Sequence, residues 1–211
     1  METQQPGSAE TVAGLRRPRT GDPTVEVLLG SGERVRVHDR RLAEHRLAIG
    51  EELDPAACAA LRDAARADSA ERRALRLIAI RPRSRAELAR RMGEWGLTEP
   101  ATAAVLERLS AVGAVDDGVL AAAVVSSRRA HAYGRLRVDA DLERLCVADD
   151  ARAVAETTAG DEAERARLAL RSRGTSGPRD PAELRRAAAF LHRRGFDADT
   201  VAAVLGLDAD A

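Results

Sequence analysis

Aromatic side chains are nearly missing from this chain: one Trp, one Tyr and two Phe among 211 residues. Its core must therefore be built from small aliphatic groups, which disfavours a large sandwich and favours an array of thin helix pairs. Lysine is absent altogether, so all 34 basic residues are Arg, and every cation is a planar five-donor fork suited to phosphate or carboxylate. Cys58 and Cys146 are the only thiols, with no CxxC, and His38, His45, His131 and His192 are scattered. No metal set can be assembled from these spacings and no cofactor is implied. The chain has no apolar leader segment and no run of about 18 apolar residues, so it reads as a soluble cytoplasmic protein with no membrane partner. GxSxG, P-loop, GxGxxG and HExxH motifs are all lacking. Asp116-Asp117 could suggest a carboxylate pair, but neighbours on a helix point to different faces. Nothing argues for an enzyme.

What is present is a repeat. Ser84 to Leu106 holds an Arg-rich amphipathic stretch, a break at Gly96-Leu97 and a second amphipathic stretch. The order returns at Arg135–Ala155 with a break at Cys146-Val147, and at Glu183–Leu205 with a break at Gly195-Phe196. The breaks lie 50 and then 49 residues apart. A period near 50 means a small helical unit stacked several times, and stacked units present extended surfaces for a partner.

Along the chain, residues 1–22 are polar and broken by Pro and Gly, which predicts a disordered tail. Residues 23–67 open with strict alternation: Val25, Val27 and Leu29, then Gly30-Ser31-Gly32, then Val35 and Val37. This predicts a β-hairpin, followed by a helical segment that Asp54 caps and that runs to about Ala67. Three three-helix repeats are expected over 68–115, 116–159 and 160–211. The first opens with a helix over Arg72–Arg81 that stops before Pro82. Ser84 then caps the next helix, with Glu87 completing a capping box. Leu88, Met92 and Trp95 face inward, and Trp95 reads as core because a base-stacking platform uses several rings. Asp116 is the expected N-cap of a long helix to about Arg129, and a flexible linker is expected at Gly174–Pro178. The fold class is mainly α, with tandem three-helix repeats after a short β-hairpin.

Net charge is zero but unevenly spread: residues 71–148 carry 14 Arg against 10 acids, between flanks with 10 Arg against 12 acids each. The anion-facing surface is therefore expected in the middle. Candidate contacts are Arg76, Arg81, Arg83, Arg128, Arg129 and Arg137. Arg81-Pro82-Arg83 sits at a helix break where side chains fan outward, and Arg128-Arg129 ends the central helix, where charge also complements the helix dipole. An alternative reading is a DNA-binding transcription factor using 84–115 as a winged helix, since the turn at Gly96-Leu97 and the following Val112-Gly113-Ala114-Val115 resemble such a unit. The helix over 98–109 offers Glu99, Thr102, Glu107 and a single Arg108, a poor set for reading base edges.

Taken together, the residues resemble the RecX family of recombination regulators. The resemblance is carried by Arg73-Ala74-Leu75-Arg76-Leu77-Ile78 and Arg81-Pro82-Arg83-Ser84-Arg85-Ala86-Glu87-Leu88, then Leu106-Glu107-Arg108-Leu109 and Gly113, Val115 and Asp116-Asp117. It continues through Ser127-Arg128-Arg129, Gly134, Arg137-Val138 and Asp141-Leu142, and ends at Phe190-Leu191-His192-Arg193-Arg194-Gly195-Phe196. The match spans roughly residues 25–206. The chain departs from the pattern with Leu120 where the family has Phe, and with Cys146-Val147 where it has Gly-Val or Gly-Ile. The resemblance implies three tandem three-helix units in an elongated, curved monomer. It also implies binding in the groove of the RecA recombinase filament, suppression of ATP hydrolysis and strand exchange, and some contact with single- or double-stranded DNA.

Overall fold

The structure, a computed structural model, describes residues 9–18, 21, 23–157, 160–174 and 180–207. It is mostly helical, with ten helices and four short strands among the described residues. Its contacts fall into two compact units, one made of the described parts of Met1–Ile80 and Arg91–Ala111, the other of Arg81–Arg90 and Val112–Ala211.

The first unit begins with an antiparallel sheet of β1 (Glu10–Arg16), β2 (Thr24–Leu29), β3 (Arg34–His38) and β4 (Glu52–Leu53), in the order β3-β2-β1-β4. The expected hairpin is β2–β3, with Val25 opposite Val37 and Val27 opposite Val35. Its alternating residues are buried in a core with Val12, Leu53, Cys58 and Leu61. The expectation of a disordered 1–22 is corrected over residues 10–16, which form a central strand; residues 1–8, 19, 20 and 22 lie outside the described set. Two features hide β1 in the sequence. Part of its hydrogen bonding comes from β4, which is distant in the chain, and a bulge between Val12 and Gly14 breaks its alternation.

After α1 (Arg40–Glu44), α2 runs unbroken over Pro55–Ile80, where two helices with a gap at 68–71 were expected. Asp68-Ser69 looks like a helix start, but Asp68 is 2% exposed and serves a tertiary network instead. It accepts the His38 N–H at 2.7 Å, Arg40 Nη2 at 3.0 Å and Arg41 Nη2 at 3.2 Å. One turn on, Glu71 accepts Arg40 Nη2 at 3.0 Å and Arg108 Nε at 2.9 Å. The sheet, α1 and α4 (Glu99–Ala111) are thus all tied to α2. Leu88 and Met92 are buried as expected, but Trp95 is only half-buried, with the Arg73 guanidinium 4.1 Å from its ring centre.

The second unit contains the first six residues of α3 (Arg85–Glu94), then α5 (Asp117–Ala130), α6 (Arg135–Arg144), α7 (Asp149–Thr157), α8 (Glu162–Ser172), α9 (Pro181–Arg193) and α10 (Ala198–Leu205). Asp116 caps α5 as expected, accepting the Val119 N–H at 2.9 Å. Residues 112–115 form a turn with no strand, so the winged-helix alternative lacks its wing. Within each set of three, the first helix packs on the third: α2 on α4, α5 on α7, α8 on α10. Small side chains permit this. Ala121, Ala166 and Ala169 are fully buried, and Phe196 is the one aromatic among the largest fully buried side chains. No helix among the described residues is long and apolar enough to cross a membrane. The expected linker lies at 174–178, of which 175–178 fall outside the described residues.

Candidate functional site

The three breaks are one structural device. Gly96, Cys146 and Gly195 all take left-handed backbone, with φ of 83°, 53° and 84°. At each, the break residue donates its N–H to the carbonyl three back: Gly96 to Gly93, Cys146 to Glu143, Gly195 to His192. The next residue donates to the carbonyl five back: Leu97 to Met92, Val147 to Leu142, Phe196 to Leu191. This is the Schellman closure of a helix C-terminus. Met92, Leu142 and Leu191 are all 0% exposed, so the closure fixes which face each helix buries.

Within the second unit, the breaks also make joints between successive repeats. Ser84 Oγ donates to the Leu145 carbonyl, and the Arg85 N–H donates to Asp117 Oδ1 at 2.8 Å. Fifty residues later the Gly134 N–H donates to the Arg194 carbonyl at 2.9 Å, and the Arg135 N–H to Glu162 Oε1 at 2.7 Å. Each joint seats a helix N-terminus on the C-terminal closure of the next repeat's middle helix. A carboxylate from that repeat's first helix completes it by accepting an orphan amide. Gly134 has no room for a side chain, since a Cβ there would overlap the Gly195 carbonyl.

The predicted contact residues fall in different places. Arg76 is exposed on α2 in the first unit. Arg81 and Arg83 both serve Glu87: Arg81 Nη2 reaches its two oxygens at 3.0 and 3.1 Å, and Arg83 Nη1 pairs with Oε1. Glu87 itself is buried and its N–H donates to Ser84 Oγ at 3.1 Å, half of the expected capping box. Burial works against its ionisation, but the Arg83 hydrogen bond and the charges of Arg81 and Arg83 outweigh it, holding the carboxyl below its usual range. The Arg83 side chain is only 10% exposed, so its charge is committed to the fold.

Arg128 and Arg137 are brought together, and two arginines outside the predicted set join them. Asp141, 4% exposed, pairs with Arg128 Nε at 2.7 Å, Arg137 Nε at 3.4 Å and Arg144 Nη2 at 2.7 Å. The guanidiniums of Arg128, Arg137 and Arg194 lie 5.4, 6.0 and 5.0 Å from the centre of the Tyr133 ring. Arg194 also caps the end of α5, donating to the His131 and Ala132 carbonyls. Three guanidiniums thus share one buried carboxylate, and a fourth is drawn in through the ring. The excess of positive charge faces outward on Arg137 and Arg144, whose side chains are 46% and 68% exposed. Such a surface can take phosphates or an acidic protein face. Arg129 stands apart from this group, as adjacent residues on a helix must, and faces α8. Arg144 and Arg194 could have been found from the repeat, since each lies within two residues of a break. No group of His, Cys, Asp or Glu among the described residues could hold a metal ion.

Fold and surface together define a helical-repeat protein with an arginine-rich face. The sequence model described as RecX, first three-helix domain, matches residues 70–109. Regulatory protein RecX of Xanthomonas oryzae pv. oryzae is 38% identical over 138 residues, covering 64% of this chain and 86% of that protein. The protein of the same name from Xanthomonas campestris pv. campestris is 40% identical over 131 residues, covering 61% and 81%. A crystal structure of regulatory protein RecX superposes with a TM-score of 0.71 at 20% identity, covering 93% of this chain and 98% of that one. RecX from Lactobacillus salivarius superposes with a TM-score of 0.56 at 17% identity, covering 68% and 97%. The chain belongs to the RecX family of regulatory proteins.

Proposed function

We propose that this protein regulates the RecA recombinase by binding its filament and suppressing ATP hydrolysis and strand exchange, with some contact with DNA. The observation that carries the reading is the gathering of Arg128, Arg137 and Arg144 on the buried Asp141, with Arg194 held beside them on Tyr133. Pre-positioned guanidiniums lose little further freedom on binding, and they match the acidic or phosphate groups that a nucleoprotein filament presents. Membership of a family whose relatives are named regulatory proteins supports a role through binding. Three-helix units over 68–115, 116–159 and 160–211 would spread that binding along the chain. In this proposal Arg137 and Arg144 touch the partner, Arg128 and Arg194 position them, and Arg76 and Arg81 make outlying contacts. Arg83 acts indirectly, through Glu87. The test is a titration of this protein into RecA hydrolysing ATP on single-stranded DNA. Inhibition at sub-stoichiometric to equimolar protein is expected; full ATPase activity at an equimolar dose would refute the proposal.

A further inference from the structure

Of the four aromatic side chains, Phe196 is fully buried, and each of the other three lies under a guanidinium. In the second unit these contacts run on from ring to ring. Arg194 lies over both Tyr133 and Phe190, 5.0 and 5.1 Å from their centres, and Arg173 lies over Phe190 at 4.9 Å. Arg173, Phe190, Arg194 and Tyr133 thus carry the arginine face from the end of α5 to the ends of α9 and α8. Both rings are partly exposed, and Arg173 is exposed. The positive charge along this line has no ionic partner. Arg194 donates to the uncharged His131 and Ala132 carbonyls, and among the described residues no carboxylate pairs with Arg194 or Arg173. The two acids that cap α8 and α9, Asp161 and Asp180, sit at the opposite ends of those helices. Each arginine lies at the C-terminal end of its helix, where the dipole offsets roughly half a charge and leaves the rest. An acidic protein face would pair with the guanidiniums and leave the rings unused. Duplex DNA offers phosphates but keeps its base faces stacked inside. A single strand offers both: bases that stack on rings and guanidinium planes, and phosphates for the same cations.

We infer, resting on the reading of this face as a partner-binding surface, that Arg173, Phe190, Arg194 and Tyr133 form a base-stacking track for single-stranded DNA. Bases lie on the two rings and on the open plane of Arg173, and Arg194 is held between the rings to meet a phosphate. Fluorescence anisotropy of the full chain with a labelled oligothymidylate, and with an abasic strand of equal length and charge, tests this at constant salt. Oligothymidylate should bind about tenfold or more tighter than the abasic strand. Phe190→Leu should narrow that ratio about fivefold, and Arg173→Gln should weaken oligothymidylate binding about fivefold or more. Arg173 is exposed, so its variant keeps the fold even where Phe190→Leu loosens it. Arg66→Gln, which removes the same charge from an exposed position in the first unit, should change binding less than about twofold. Equal affinity for the two strands would overturn the inference, as would an equal loss in Arg66→Gln, since either marks attraction to phosphate alone. A polyglutamate peptide that binds as tightly as oligothymidylate would also overturn it, assigning the face to an acidic protein. No recombinase is present in this measurement, so its failure is separable from the outcome of the ATPase titration.

Discussion

Asp141 gathers three arginines of the charged surface. A single carboxylate at 4% exposure would be costly alone, and it is tolerated because three guanidiniums surround it. Asp141→Asn keeps the shape and removes the charge that gathers them. The expected loss is about 2 kcal/mol, less than for a fully buried pair because Arg137 and Arg144 reach solvent; urea unfolding measures it. Asp68 plays the corresponding part in the first unit. Burial works against its ionisation, but the His38 N–H and the charges of Arg41 and Arg40 outweigh that and depress its pKa. A depressed carboxylate contributes stability that is fully present above its unfolded-state value and is lost as pH falls through its folded-state value. The urea midpoint should therefore drop as pH is lowered from the ordinary aspartate range downward, with Glu87 adding to the same trend. Asp68→Asn should be less stable at neutral pH and flatter across that acid window; an identical pH profile in the variant would show that Asp68 is not the group responsible.

The three helix closures differ in quality. Gly96 and Gly195 take left-handed backbone without a side-chain penalty, whereas Cys146 holds a φ of 53° with a Cβ attached. Cys146→Gly should raise stability by roughly 1 kcal/mol, read as a higher thermal midpoint. Gly134→Ala should do the reverse, because its Cβ would be driven into the Gly195 carbonyl, at a cost of about 2–3 kcal/mol. These closures and caps were legible in the sequence because they are local. Ser84 with Glu87, Asp116 with Val119, and the three breaks can each be read within a few residues. What escaped was set by distant partners. β1 is closed on its far edge by β4, and α2 runs through Asp68 because His38, Arg40 and Arg41 claim the carboxylate that would otherwise cap a helix. The candidate site divides the same way. Arg128 and Arg137 stood out as basic residues around a helix end, but their convergence depends on Asp141 and on Arg194, more than fifty residues further on.

At the scale of the whole molecule, the roughly 50-residue period becomes a repeated joint. Within the second unit, the Ser84 hydroxyl on the Leu145 carbonyl and the Gly134 N–H on the Arg194 carbonyl each seat a helix N-terminus on a helix end one period further on, so that unit can present its arginines in a fixed arrangement. On the proposed function, binding to an anionic filament should fall steeply with salt, because the guanidiniums proposed to meet it are exposed and screened in its absence. The most direct test is the affinity of the chain for RecA filaments on single-stranded DNA, compared with an Arg137→Gln/Arg144→Gln variant. That pair leaves Arg128 to hold Asp141 and leaves Arg194 on Tyr133, so helicity at ambient temperature should be kept while the thermal midpoint falls modestly. The account predicts binding about tenfold or more weaker in the variant, with a shallower fall in affinity as salt is raised. Equal affinity and equal salt dependence in the two proteins would contradict it.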